Sequence, residues 1–215
     1  SLSFGSILAM MAALLFGALI AATDPVSVVA LFRSLGAPRR LQVIIEGESL
    51  LNDGTAIVVF NLMLLFVLTG QFNLLQGVGD FILIAGGGLL VGLIAGILIS
   101  QLIGRIDNYL VETALTTVLA YGSYLVAEYL FGVSGVLAVV AAGLSAGQFG
   151  PRGMSPTTRI VVFNFWEFAA FLANSFVFLI IGLEIDLNIL VANAPAIGWA
   201  ILAVLIARAV SVYGL

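Results

Sequence analysis

Two short polar runs carry the groups that could do chemistry in this sequence: Ala22-Thr23-Asp24-Pro25 and Glu46-Gly47-Glu48-Ser49-Leu50-Leu51-Asn52-Asp53-Gly54. The 215 residues include no His and no Cys, which excludes disulfides, thiolate chemistry and His-based metal sites. Any proton carried inside the protein must therefore ride on a carboxylate. Burial favours the neutral form of a carboxylate, so an acid held away from water can load and release a proton. Ionised, the same oxygens are hard ligands for a small cation, and hydroxyl and carbonyl oxygens can complete the shell. Within the second run, Glu48, Ser49, Asn52 and Asp53 fall at i, i+1, i+4 and i+5, which is one face of a helix. In the first, Pro25 removes a backbone donor and clashes one turn back, so a helix through it must break or kink.

The elements that position these runs are set by composition. The chain is 62% hydrophobic and 8% charged, with mean hydropathy +1.25, where a soluble domain carries about 25% charged residues. The net charge of −4 and seven scattered Arg residues exclude a nucleic-acid partner. A membrane helix needs about 20 mostly apolar residues. Seven stretches approach that length: Phe4–Phe32 (long and interrupted), Ile44–Thr69, Phe81–Ile103, Leu110–Phe131, Val133–Gly147, Ile160–Leu183 and Pro195–Leu215. They are solidly apolar rather than alternating, which excludes a β-barrel. The expected fold class is an all-α membrane protein, with 1–215 a single transmembrane domain, no linker, and the lipid bilayer as its surroundings. Arg33, Arg39, Arg40, Arg105, Arg152 and Arg159 occupy alternate connections, and the others hold Asp80, Glu184 and Asp186. Basic residues stay cytoplasmic, so the first segment starts outside and the last ends inside. Ser1 and the apolar run at Leu215 lead us to expect further helices at both ends.

Charges inside a bilayer cost about 2.5–3.5 kcal/mol each on insertion scales and mark function by default. Asp24 lies nine residues from Arg33, and Asp53 nine from Ile44, each about 14 Å from the cytoplasmic edge. The two carboxylates thus share a depth near the midplane. Non-helical backbone survives there only where protein or water satisfies it, and a broken helix offers free carbonyls and a helix end to an ion. Asp24 also suits the N-cap of the following half-helix. The Glu48–Asp53 face could alternatively be a polar helix contact. Arg208 lies about 10 Å from the inner edge and Glu48 about 6 Å, within reach of an ion pair; snorkelling of Arg208 to the headgroups is the alternative. Gly88, Gly92 and Gly96 form a small-residue stripe suited to close helix packing. Asn174 and Ser175 could line the same cavity or bond between helices. Glu112, Glu128 and Glu167 lie near segment ends and are expected at the interface. Gly77-Val78-Gly79-Asp80 matches a motif of intramembrane aspartyl proteases, but the sequence has no Tyr-Asp to supply a second catalytic acid.

Ala22-Thr23-Asp24-Pro25-Val26-Ser27-Val28 followed by Glu46-Gly47-Glu48-Ser49-Leu50-Leu51-Asn52-Asp53-Gly54 resembles the cation/proton antiporters of the bacterial NhaP and animal sodium/proton exchanger group. Further matches are Val133-Ser134-Gly135-Val136-Leu137-Ala138, Phe176-Val177-Phe178-Leu179-Ile180-Ile181-Gly182-Leu183-Glu184 and Leu205-Ile206-Ala207-Arg208. The resemblance implies that Asp53 binds either a proton or Na⁺ (or Li⁺), with Ser49 and the Thr23 backbone as further ligands. It implies that Asp24 and Asn52 support the site and that Glu48 pairs with Arg208. It also implies no cofactor, electroneutral exchange by alternating access in pH and sodium homeostasis, a bacterial inner-membrane setting and a homodimer of the full-length protein. The family's fold has about thirteen helices, of which this chain would supply the fifth to eleventh. A potassium/proton exchanger of the same family is the nearest alternative.

Overall fold

The computed structural model describes residues 4–22, 25–69 and 74–214, and among these the regular structure is entirely helical. The helices are α1 (Phe4–Ala21), α2 (Val26–Ser34), α3 (Arg39–Thr69), α4 (Leu74–Ile103), α5 (Tyr109–Leu125), α6 (Gly135–Phe149), α7 (Pro156–Glu184), α8 (Leu187–Ala192) and α9 (Ala194–Tyr213). Among the described residues, five helical spans are long and apolar enough to cross a membrane: Arg39–Leu68, Leu75–Ile103, Tyr109–Leu130, Pro156–Glu184 and Ala194–Ser211. Two of the seven expected stretches are not among these five spans. The first is two helices, since α1 ends at Ala21 and α2 starts only at Val26. The fifth, α6, is 15 residues long, short of the roughly 20 that a span requires. Ser134 caps its N-terminus, accepting from the Leu137 amide at 3.2 Å, and Pro151 follows just beyond its end.

The chain divides into two compact units, Ser1–Val162 and Phe163–Leu215, with the boundary inside α7. In the first unit, α3 packs against α1, α2, α4 and α6, and α4 and α5 pack against α6. Val58, Leu62, Ala85 and Leu137 form one buried cluster across α3, α4 and α6. Ala127, Val133 and Ala138 form another. The closest approach is α4 on α6, and the glycine stripe makes it possible. A Cβ on Gly88 would overlap the Ser134 carbonyl, one on Gly92 the backbone of Ala138, and one on Gly96 the Ser145 hydroxyl. Without Cβ atoms the two backbones come into direct contact, which is how dispersion holds helices together in lipid.

Asn108 caps α5, accepting from the Leu110 and Val111 amides at 3.0 and 3.3 Å. At its other end α5 widens into a π-turn, Val126–Leu130. There Glu128 Oε2 accepts from the Gly135 amide at 2.9 Å, while the Ser134 amide donates to the Ile84 carbonyl at 3.1 Å. Glu128 is exposed, as expected, yet it closes the corner between α5 and α6.

In the second unit, Asp186 caps α8, accepting from the Asn188 amide at 2.8 Å. Phe168, Phe171, Phe176, Phe178 and Trp199 are all exposed there. Soluble proteins rarely expose continuous apolar surface on this scale, whereas acyl chains or further helices cover it at no cost. Glu167 is exposed, and the Ser175 hydroxyl donates back to the Phe171 carbonyl of its own helix at 2.8 Å.

Candidate functional site: a broken helix beside a polar face

The site begins with the end of α1. A helix terminus leaves its last carbonyls without intrahelical donors, and Ala21 is the last residue of α1. Its carbonyl accepts from Asn52 Nδ2 of α3 at 2.6 Å. That bond ties the second run to the residue just before the first, across 31 residues, and sets the polar face of α3 against the end of α1. On the far side of the break, the Pro25 carbonyl accepts from the Val29 amide at 2.8 Å, so α2 is anchored from its first turn. Thr23 and Asp24 themselves lie outside the described residues.

On α3, Ser49 is buried at 7% exposure, and Asn52 and Asp53 are half-buried. Glu48 is exposed to the surroundings of the first unit. Gly54, directly after Asp53, faces Leu137 of α6, and a Cβ there would overlap the Leu137 side chain. Leu137 is fully buried. An absent side chain at 54 and a branched apolar one at 137 thus bring α6 up to the same level of α3. The polar face is contacted by the broken element on one flank and by dry packing on another.

Arg208 is exposed on α9 and belongs to the second unit. Asp80 is half-buried near the start of α4. A Cβ on the neighbouring Gly77 would meet the Phe66 ring. Phe66 lies thirteen residues beyond Asp53 on α3, about 20 Å along the axis at 1.5 Å per residue. A protease dyad needs two carboxyls sharing one proton at close range, so Asp80 and Asp53 do not form one. Among the described residues no group of three or more acidic, His or Cys side chains could hold a metal ion.

Sequence reasoning missed the Gly54–Leu137 contact and misplaced Glu112, which is completely buried rather than interfacial. A signal was present: Glu112, Thr116, Leu119 and Ser123 recur at helical spacing and form the buried stripe of α5.

The family model described as "Sodium/hydrogen exchanger, transmembrane" matches residues 1–215. The chain is 50% identical to the "Na(+)/H(+) antiporter ApNhaP" of Aphanothece halophytica, over 100% of this chain and 42% of that protein. It is 46% identical to the "Na(+)/H(+) antiporter NhaG" of Bacillus atrophaeus, over 96% of this chain and 40% of the relative. To the "Sodium/hydrogen exchanger 7" of Arabidopsis thaliana it is 40% identical over 82% of its length and 16% of that protein. The chain thus spans well under half the length of these relatives. With a family match that runs over every residue, the chain belongs to the sodium/hydrogen exchanger family.

Proposed function

We propose that the full-length protein is a sodium/proton antiporter and that residues 1–215 are part of its membrane transport domain. The observation that carries this reading is the Asn52–Ala21 bond, which brings the Asp53 face to the helix break. Asp53 binds either a proton or Na⁺, with the Ser49 hydroxyl and the Thr23 backbone carbonyl as further oxygen ligands. Asn52 and Asp24 are supporting polar groups of the site. Because one carboxylate serves both ions, occupancy by one expels the other, and alternate exposure to the two sides exchanges one cation for one proton. No net charge moves, and no cofactor takes part. The names of the relatives support Na⁺ as the cargo. The Arg-bearing connections support a topology in a bacterial inner membrane with the start of α1 outside and the end of α9 inside. In the full-length protein the working unit is a homodimer, serving sodium and pH homeostasis.

The test is antiport by the full-length protein in everted vesicles, with Na⁺, Li⁺ and K⁺ offered in turn. Dissipation of ΔpH by Na⁺ and Li⁺ and not by K⁺ is the expected pattern. Dissipation by K⁺ alone establishes the potassium/proton alternative, and no response to any cation refutes antiport.

The second part of the proposal is that Glu48 and Arg208 form an ion pair in the full-length protein. Both residues are exposed in the described chain, so the pair forms where lipid and further helices of the full-length protein surround it, and removing one partner there leaves an uncompensated charge. Glu48→Gln and Arg208→Gln are each expected to lower thermal stability, and the double variant to lose less than the sum. Additive losses in the melting curves contradict the pair.

A further inference from the structure

A second carboxylate is buried away from the Asp53 face. Glu112, in the first turn of α5, is 0% exposed. Its Oε1 accepts from Thr158 Oγ1 of α7 at 3.1 Å. Thr158 is 1% exposed, and its hydroxyl accepts in turn from Ser155 Oγ at 3.0 Å. Ser155 caps α7, accepting from the Thr158 amide at 3.1 Å, so the donor chain is fixed to a helix end. Glu112 Oε2 is buried with no hydrogen-bond partner among the described residues.

The charged and titratable groups on the surrounding elements are otherwise engaged or remote. On α4 the one acid is Asp80, near the opposite end, and α6 carries none. Arg105 and Asp107, in the turn before α5, are exposed. Arg152 lies over the Phe149 ring at 5.5 Å, and Arg159 donates to the Pro151 carbonyl at 3.0 Å. Glu128 bonds the Gly135 amide, and Tyr109, Tyr121 and Tyr124 of α5 are exposed. Among the described residues none of these forms an ion pair with Glu112. An ionised carboxylate with a single neutral donor is very costly to bury.

We propose that Glu112 is a second proton-binding site of this chain, separate from Asp53, on the side that carries Arg105, Arg152 and Arg159. In the loaded state the proton sits on the carboxyl group, and Oε1 remains the acceptor of the Thr158 hydroxyl. Loss of the proton places a bare charge between the first turns of α5 and α7. The proposal does not depend on antiport, since a protonated carboxyl is detectable whether or not ions are exchanged.

The experiment is infrared difference spectroscopy of the reconstituted full-length protein, in H₂O and D₂O. A protonated-carboxyl carbonyl band is expected, absent in Glu112→Gln and retained in Asp53→Asn. Thr158→Val should move that band to higher frequency, because the carbonyl loses its donor. If Glu112→Gln leaves all protonated-carboxyl bands in place, the proposal fails. Should Glu112→Gln not accumulate, Thr158→Val decides: a displaced band supports the site and an unmoved spectrum overturns it.

Discussion

Asp53→Asn in the full-length protein is expected to abolish cation-dependent dissipation of ΔpH in everted vesicles. The amide matches the carboxylate in size and retains an acceptor, but it neither titrates nor carries charge. It therefore loses both ions that the proposed exchange alternates between. A loss of about a hundredfold or more corresponds to about 2.7 kcal/mol at 1.36 kcal/mol per decade. Folding should survive, because Asp53 is half-buried and an uncharged side chain there is cheaper to place in lipid. Near-normal exchange by a variant with an unchanged melting temperature would overturn the assignment of Asp53. Collapse of both activity and melting temperature would instead make Asp53 structural.

The second large effect concerns packing. Gly92→Leu is expected to prevent accumulation of folded protein, because even the first carbon of a side chain at 92 overlaps the backbone of Ala138. A flexible side chain can step aside; a helix backbone cannot without moving the whole of α6. Overpacking typically costs about 1–3 kcal/mol, and a clash against backbone belongs at or beyond the top of that range. Displacing α6 would also withdraw Leu137 from Gly54, so damage reaches the residue beside Asp53. Gly86→Ala on the same helix is the control, since nothing lies within 4 Å of a Cβ there. Size-exclusion profiles in detergent should show Gly86→Ala unchanged and Gly92→Leu aggregated. A monodisperse Gly92→Leu peak would show that α4 and α6 do not meet as described.

The sequence made some features plain and hid others for identifiable reasons. Pro25 announced the break between Ala21 and Val26 because the lack of a backbone donor is a local property. The glycine stripe announced a contact face, since only the smallest residues repeat every fourth position on α4. Which helix would fill it was not legible, because α6 lies far along the chain. The shared face of Ser49, Asn52 and Asp53 followed from helical spacing, but the Ala21 carbonyl as partner of Asn52 required tertiary structure. Glu112 was misjudged for a physical reason: position near a segment end predicts access to water only when no neighbouring helix starts there. The start of α7 covers it with Thr158.

The π-turn at the end of α5 has a consequence for how sequence length can vary. Five residues there occupy a wider coil than an α-helix, and the surplus lets Glu128 reach the Gly135 amide. Deleting one residue from Val126–Leu130 would tighten the coil and swing whatever follows by about 100°. The carboxylate would then point away from the start of α6, and the corner would lose its tether. Single-residue gaps, often harmless in loops, are thus as disruptive here as a change of side chain, and alignments of relatives should keep this corner at constant length.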